Sequence, residues 1–158
     1  MKNSDVFEYR EALDAVNKIK GNSKFSYAVA KNMRILDNEI EAIRNGFTNL
    51  SDTDSESFNI YETSRLRLVG KYSSRADDST VQDHAPFIED MVGFQVELQE
   101  LKEKHIDALT KARDVQIANT KVLDEEFVGE LELFKIANEY LPDELDAQQI
   151  FVLDFMIA

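Results

Sequence analysis

The sequence predicts a mainly α protein: an αα-hairpin packed on a long heptad-patterned helix, with one short β element as an option near residues 129–136. Two observations carry this prediction. In KFSYAVAKNMRILDNEIEAI, residues 24–43, the residues Phe25, Val29, Met33, Leu36, Ile40 and Ile43 fall on one stripe and nearly everything else is polar. Between residues 86 and 121, Phe87, Met91, Phe94, Leu98, Leu101, His105, Ala108, Ala112 and Val115 keep a four-three alternation. Apolar residues at such spacings lie on one face of a helix, and sustained heptads favour a coiled-coil seam.

The elements follow in order. In DVFEYREALDAVNKI, residues 5–19, Val6, Tyr9, Leu13 and Val16 repeat at helical spacing, and Asp5 with Glu8 resembles a capping box. Gly21 and Asn22 end this first helix, Ser23 is placed to cap the second, and Asn45-Gly46 closes the stripe. So short a loop lays the two helices against each other. TNLSDTDSESFN, residues 48–59, is rich in Ser, Asp and Thr with little to bury, and reads as a mobile loop. YETSRLRLVGKY, residues 61–72, reads as a short helix with Leu66, Leu68, Val69 and Tyr72 inward, and residues 73–85 again have loop composition.

Pro86 suits the first turn of the long helix, whose economical partner is helix two in an antiparallel pairing; homodimerisation through the same seam is the rival. Beyond residue 121 the pattern changes. GELELFKI alternates with period two as a strand would, FVGELELFKIANEYL also fits a helix through Phe127, Leu131, Phe134 and Ala137, and Gly129 tips the reading towards extended chain. After Leu141-Pro142, with Asp143 or Asp146 as cap, AQQIFVLDFMIA forms a short apolar helix docked in the core or in a partner. The whole is read as one helical domain, 1–158, with a mobile loop at 48–59 and an acidic C-terminal segment at 122–158. A chain of 158 residues buries about two-thirds of its unfolded surface without staples.

Charge is the dominant compositional feature. The chain carries 18 Lys and Arg against 31 Asp and Glu, a net −13, and residues 122–158 hold 10 of those acids with a single base, Lys135. Such a field repels phosphate backbones, so direct nucleic-acid binding is not expected. Zero cysteines exclude disulfides, zinc ribbons and thiol catalysis. No apolar run approaches a membrane span and MKNSDVFEYR is too polar for a signal peptide, so a cytoplasmic protein is expected.

Chemical motifs are sparse. DTDSE, residues 52–56, opens as an EF-hand loop does, yet Ser57 stands where the turn glycine is needed and Thr63 at the twelfth position. In ADDSTVQDHAPFIED, the residues Asp77, Asp78, Asp83, His84, Glu89 and Asp90 are metal-ligand types without metal-ligand spacing, and the two histidines, His84 and His105, lie far apart. His105 falls on the seam, as a satisfied core histidine or a pH-sensitive group. Five scattered glycines make no phosphate cradle, and there is no GxSxG elbow. The expectation is therefore no enzyme, no cofactor and no metal. The candidate site is the acidic run itself, Asp124, Glu125, Glu126, Glu130, Glu132, Glu139, Asp143 and Glu144: a solubilising face, or a mimic of phosphate that occupies a basic groove.

Taken together, FEYREAL, KFSYAVAKNMRILDNEIEAI, RLRLVGKY, ELELFKI and LPDEL resemble a family of short uncharacterised proteins carried by bacterial phages and prophages. In that family the second helix runs on into the equivalent of RLRLVGKY, whereas NGFTNLSDTDSESFN intervenes here. The resemblance implies a phage setting in the host cytosol and supplies no functional residues. With it, the expected role is a non-enzymatic interaction protein that binds and inhibits a host protein, such as a defence or nucleic-acid-processing factor, through its acidic surface. The alternative is a virion-assembly chaperone or structural accessory that binds a phage protein through the apolar FVLDFMIA terminus.

Overall fold

The computed structural model describes residues 1–73, 88 and 90–158. The protein is mainly α, as its periodicity predicts. Its helices are α1 (Asn3–Val16), α2 (Ser23–Asn45), α3 (Asp52–Tyr72), α4 (Met91–Lys104), α5 (Ile106–Asp124) and α6 (Ala147–Val152), with 3₁₀ turns at Asn138–Tyr140 and Asp154–Met156. The chain divides into two compact units, Met1–Phe47 with Ala118–Ala158, and Thr48–Ile117.

In the first unit α1 and α2 form the expected hairpin. Val6, Leu13 and Val16 of α1 meet Phe25, Ala28, Val29, Leu36, Ile40 and Ile43 of α2, all buried. The C-terminal segment completes this core with Ile136, Leu145, Leu153 and Met156. The stripe on α2 therefore faces both α1 and the end of the chain, where Leu153 and Met156 of the FVLDFMIA terminus are fully buried and Phe151 is left exposed. Asn22, one residue earlier than the expected Ser23, caps α2 by accepting from Phe25 N–H at 3.0 Å. The α1–α2 loop needs glycine at 21, because a Cβ there would stand 2.6 Å from the Phe25 ring and 3.0 Å from Pro142. Arg10 clamps the hairpin from outside, 2.6 Å from Asp37 and 3.2 Å from Asp14.

The last turn of α5 leaves carbonyls without helical partners, and the N-terminus satisfies them. Asn3 donates from its side chain to Val122 O at 2.8 Å and from its backbone to Glu125 O at 3.0 Å, while Phe127 N–H donates to Met1 O at 2.9 Å.

In the second unit three sequence readings are corrected. Residues 52–59 are not a loop but the opening turns of α3: Ser51 accepts from Asp54 N–H at 3.2 Å, and its hydroxyl donates to Asp54 Oδ2 at 2.6 Å. The acids Asp52 and Asp54 sit in a first helical turn, where the helix dipole favours them. The single helix expected over 86–121 is two helices, broken at His105, whose backbone lies at φ −115° and ψ 23°. Within this unit α4 packs against α3. Of the predicted inward face, Phe94, Leu98 and Leu101 are half-buried but Met91 is 49% exposed; Val92 and Val96, outside that face, are exposed as well. From α3, Tyr61 and Leu68 are buried, but Leu66, expected inward, is 61% exposed. Tyr72 packs edge-on against Phe94 with ring centroids 5.9 Å apart, and its hydroxyl donates to Glu97 Oε1 at 2.6 Å. Lys71 pairs with the same carboxylate, so Glu97 is held below the usual carboxylate range, first by its bond with Lys71 and then by Tyr72.

The expected loop at 73–85 and the start of the long helix at 86–89 fall outside the described residues, except for Ser73 and Ile88, which form a bridge. No helix among the described residues is long and apolar enough to cross a membrane.

Candidate functional site

Residues 125–137 leave α5 as an extended ribbon across the first unit. The alternation read in GELELFKI is real: Leu131 and Leu133 pack on the core while Glu130 and Glu132 are exposed. The ribbon is nonetheless no strand. Among the described residues it makes two isolated bridges, an antiparallel one of Glu126 with Lys2 and a parallel one of Ile136 with Ile157, in which Ile136 N–H donates to Met156 O at 2.9 Å and Ala158 N–H donates to Ile136 O at 2.8 Å. A side chain takes the place of a neighbouring strand at Phe134. Asn32, fully buried on α2, donates from Nδ2 to Phe134 O at 3.0 Å and accepts from Phe134 N–H at 2.7 Å. A strand would have offered the same pair of bonds from its backbone.

The predicted partner-binding carboxylates lie along this ribbon and its flanks. Asp124, Glu125, Glu126, Glu130, Glu132, Glu139, Asp143 and Glu144 are all exposed. Asp124 pairs with Lys2 at 3.0 Å, between two well-exposed side chains; the other seven form no salt bridge with any described residue. The one lysine of the segment does not neutralise them, because Lys135 Nζ donates to Phe155 O at 2.5 Å. Nearby cations are also occupied. Lys24 lies 3.8 Å over the Tyr140 ring and Lys31 lies 4.6 Å over Phe134, beside a cleft of about 300 Å³ that Tyr27 helps to line.

The other chemical candidates of the sequence are placed differently. The DTDSE residues are spread around a helical turn, where they cannot wrap an ion as a loop does. Asp54 is engaged by Lys111 at 2.6 Å as well as by Ser51, and these bonds hold its carboxyl below the ordinary value, Lys111 being the larger cause. His105 sits at the α4–α5 break, half-buried, its ring 6.0 Å from Tyr61. Of the 76–90 cluster, Asp77, Asp78, Asp83, His84 and Glu89 lie outside the described residues, and Asp90 caps α4 by accepting from Gly93 N–H at 2.9 Å. Among the described residues no three His, Asp or Glu side chains gather to hold a metal ion.

One surface feature has no counterpart in the sequence reading. A groove of about 570 Å³ runs between α1 and the C-terminal turns, floored by Tyr9, Ala12 and Ala15 and walled by Phe151 and Phe155. Its signal was present in the exposed face of helix one, where Glu8, Glu11, Ala12 and Ala15 follow one another at helical spacing.

Comparison with models of protein families, with curated proteins and with solved structures finds no match for this chain.

Proposed function

We propose that this chain is a non-enzymatic, phage-type interaction protein that binds a protein partner in the bacterial cytosol and blocks its basic face, the partner being a defence or nucleic-acid-processing factor of the host. The observation that carries this reading is the row of exposed carboxylates on a ribbon anchored to a packed core. Seven of the eight have no described counter-ion, and the one local lysine is turned away onto a carbonyl. Fixed like charges raise a local potential that steers a cationic surface into contact, and a preset frame spares part of the ordering cost of binding. Glu130 and Glu132, two residues apart on extended chain, stand about 7 Å from each other along the ribbon, a denser array than scattered surface acids give.

The alternative of a chaperone that offers its apolar C-terminus to a client is less well supported, since Leu153 and Met156 are fully buried in the chain's own core. Retention of proteins from a bacterial lysate on the immobilised chain tests the proposal. A specific protein should be held at about 0.05 M salt and released by about 0.5 M, as the screening length falls from over 10 Å to roughly 4 Å. Retention indifferent to salt would refer binding to apolar contacts and refute the reading.

A further inference from the structure

We infer that the groove between α1 and the C-terminal turns is a docking site for a basic amphipathic helix of a partner protein. Its residues are distinct from the 124–144 carboxylates, so the inference stands whether or not that run binds. The floor follows α1 for two turns from Glu8 to Ala15, roughly 10 Å, and the small side chains of Ala12 and Ala15 let another backbone come close. The wall is preformed: Tyr9 and Phe155 are stacked with centroids 4.3 Å apart and planes at 21°. Phe151, 79% exposed, projects beside them although its neighbours Leu153 and Met156 are fully buried. A large aromatic side chain left in water at the edge of a preformed groove is the feature expected of an interface anchor.

Charge selects the occupant. Glu8, Glu11 and Asp154 line the groove, are exposed, and pair with no described cation. An apolar floor with a carboxylate rim matches a helix that carries an apolar stripe flanked by Lys and Arg. A second copy of this chain is disfavoured, because symmetric docking would set Glu8 and Glu11 of one copy against the same carboxylates of the other in a chain of net charge −13. No strand is present among the described residues to take an added strand, which leaves the helix as the fitting element.

The test uses the full chain and a labelled peptide of about 18 residues, Leu and Lys in amphipathic helical order, beside a scrambled peptide of the same composition. The scrambled peptide senses only the acidic field. By fluorescence anisotropy the amphipathic peptide should bind at least about tenfold tighter than the scrambled one, and Ala15→Arg or Phe151→Ser should each remove most of that preference. Both positions are exposed, and unchanged thermal melting verifies that the fold is intact. Replacing Glu125, Glu126, Glu130 and Glu132 by Gln should weaken both peptides alike and leave the preference in place. Equal binding of the two peptides, absence of binding, or a preference that survives both groove variants overturns the inference. So does a dimer of the free chain that Ala15→Arg dissolves, which would assign the groove to a second copy.

Discussion

Asn32 is the pin that holds the acidic ribbon on α2, and its removal has a calculable cost. Asn32→Ala takes away both bonds to Phe134, the 3.0 Å bond to its carbonyl and the 2.7 Å bond from its amide. Each stranded group costs about 1–3 kcal/mol where water has little access, and Ala regains about 0.7 kcal/mol in helix propensity. The net expectation is about 1–5 kcal/mol, a large share of the roughly 5–15 kcal/mol that typically holds a domain. At a urea slope of about 2 kcal/mol/M this moves the midpoint down by about 0.5–2.5 M. Asn32→Asp adds a sign test. The new carboxyl keeps the acceptor for Phe134 N–H but faces Phe134 O, which only the protonated form can satisfy, and burial opposes ionisation. Its folded pKa is therefore raised above the unfolded value near 3.9, so its stability is fully present below that value and is lost as pH rises through the folded pKa. Asn32→Asp should lie closest to wild type near pH 4 and furthest from it at neutral pH. An Ala variant within about 0.5 kcal/mol of wild type, or an Asp variant with no extra pH dependence, would refute the reasoning.

Two further outcomes test local packing. Gly21→Ala places a Cβ 2.6 Å from the ring of Phe25, which is 1% exposed and has little room to yield, so a loss of about 1–3 kcal/mol is expected in thermal melting; unchanged stability would show that the loop shifts freely. Ser51→Ala removes the α3 cap and should cost about 1 kcal/mol in chemical denaturation. At Asp54, whose pKa is depressed by Lys111 and then Ser51, the stabilising contribution is present above the ordinary carboxylate value of 3.8 and lost as pH falls through the folded value. Asp54→Asn should therefore flatten that part of the acid unfolding limb.

The elements with long apolar stripes were legible from sequence, and those that rest on pairing or capping were not. Periodicity identified α1, α2 and the inward face of α4, because burial writes itself as a 3.6-residue pattern. It could not name the neighbour, since the same face of α4 suits α2 or α3 equally well; the heptads say which side is covered and not by what. The first turns of α3 were hidden by their Ser and Asp content, which also marks loops, although Ser51 and Asp54 stand at cap spacing. No proline or glycine marks the break at His105. Asn32 was passed over as one more polar residue beside the apolar stripe, because its partner is a backbone 102 residues away. The acidic residues were legible as an exposed set; that the single lysine among them turns to the Phe155 carbonyl was not.

The central claim is that fixed carboxylates on the C-terminal ribbon drive partner binding. The association rate of the lysate partner, compared between wild type and the variant with Glu125, Glu126, Glu130 and Glu132 replaced by Gln, tests it most directly. Wild-type association should slow by about tenfold or more between 0.05 and 0.5 M salt, and the variant at low salt should already behave like wild type at high salt while melting normally. A variant that associates at the wild-type rate, with no dependence on salt in either protein, would contradict it.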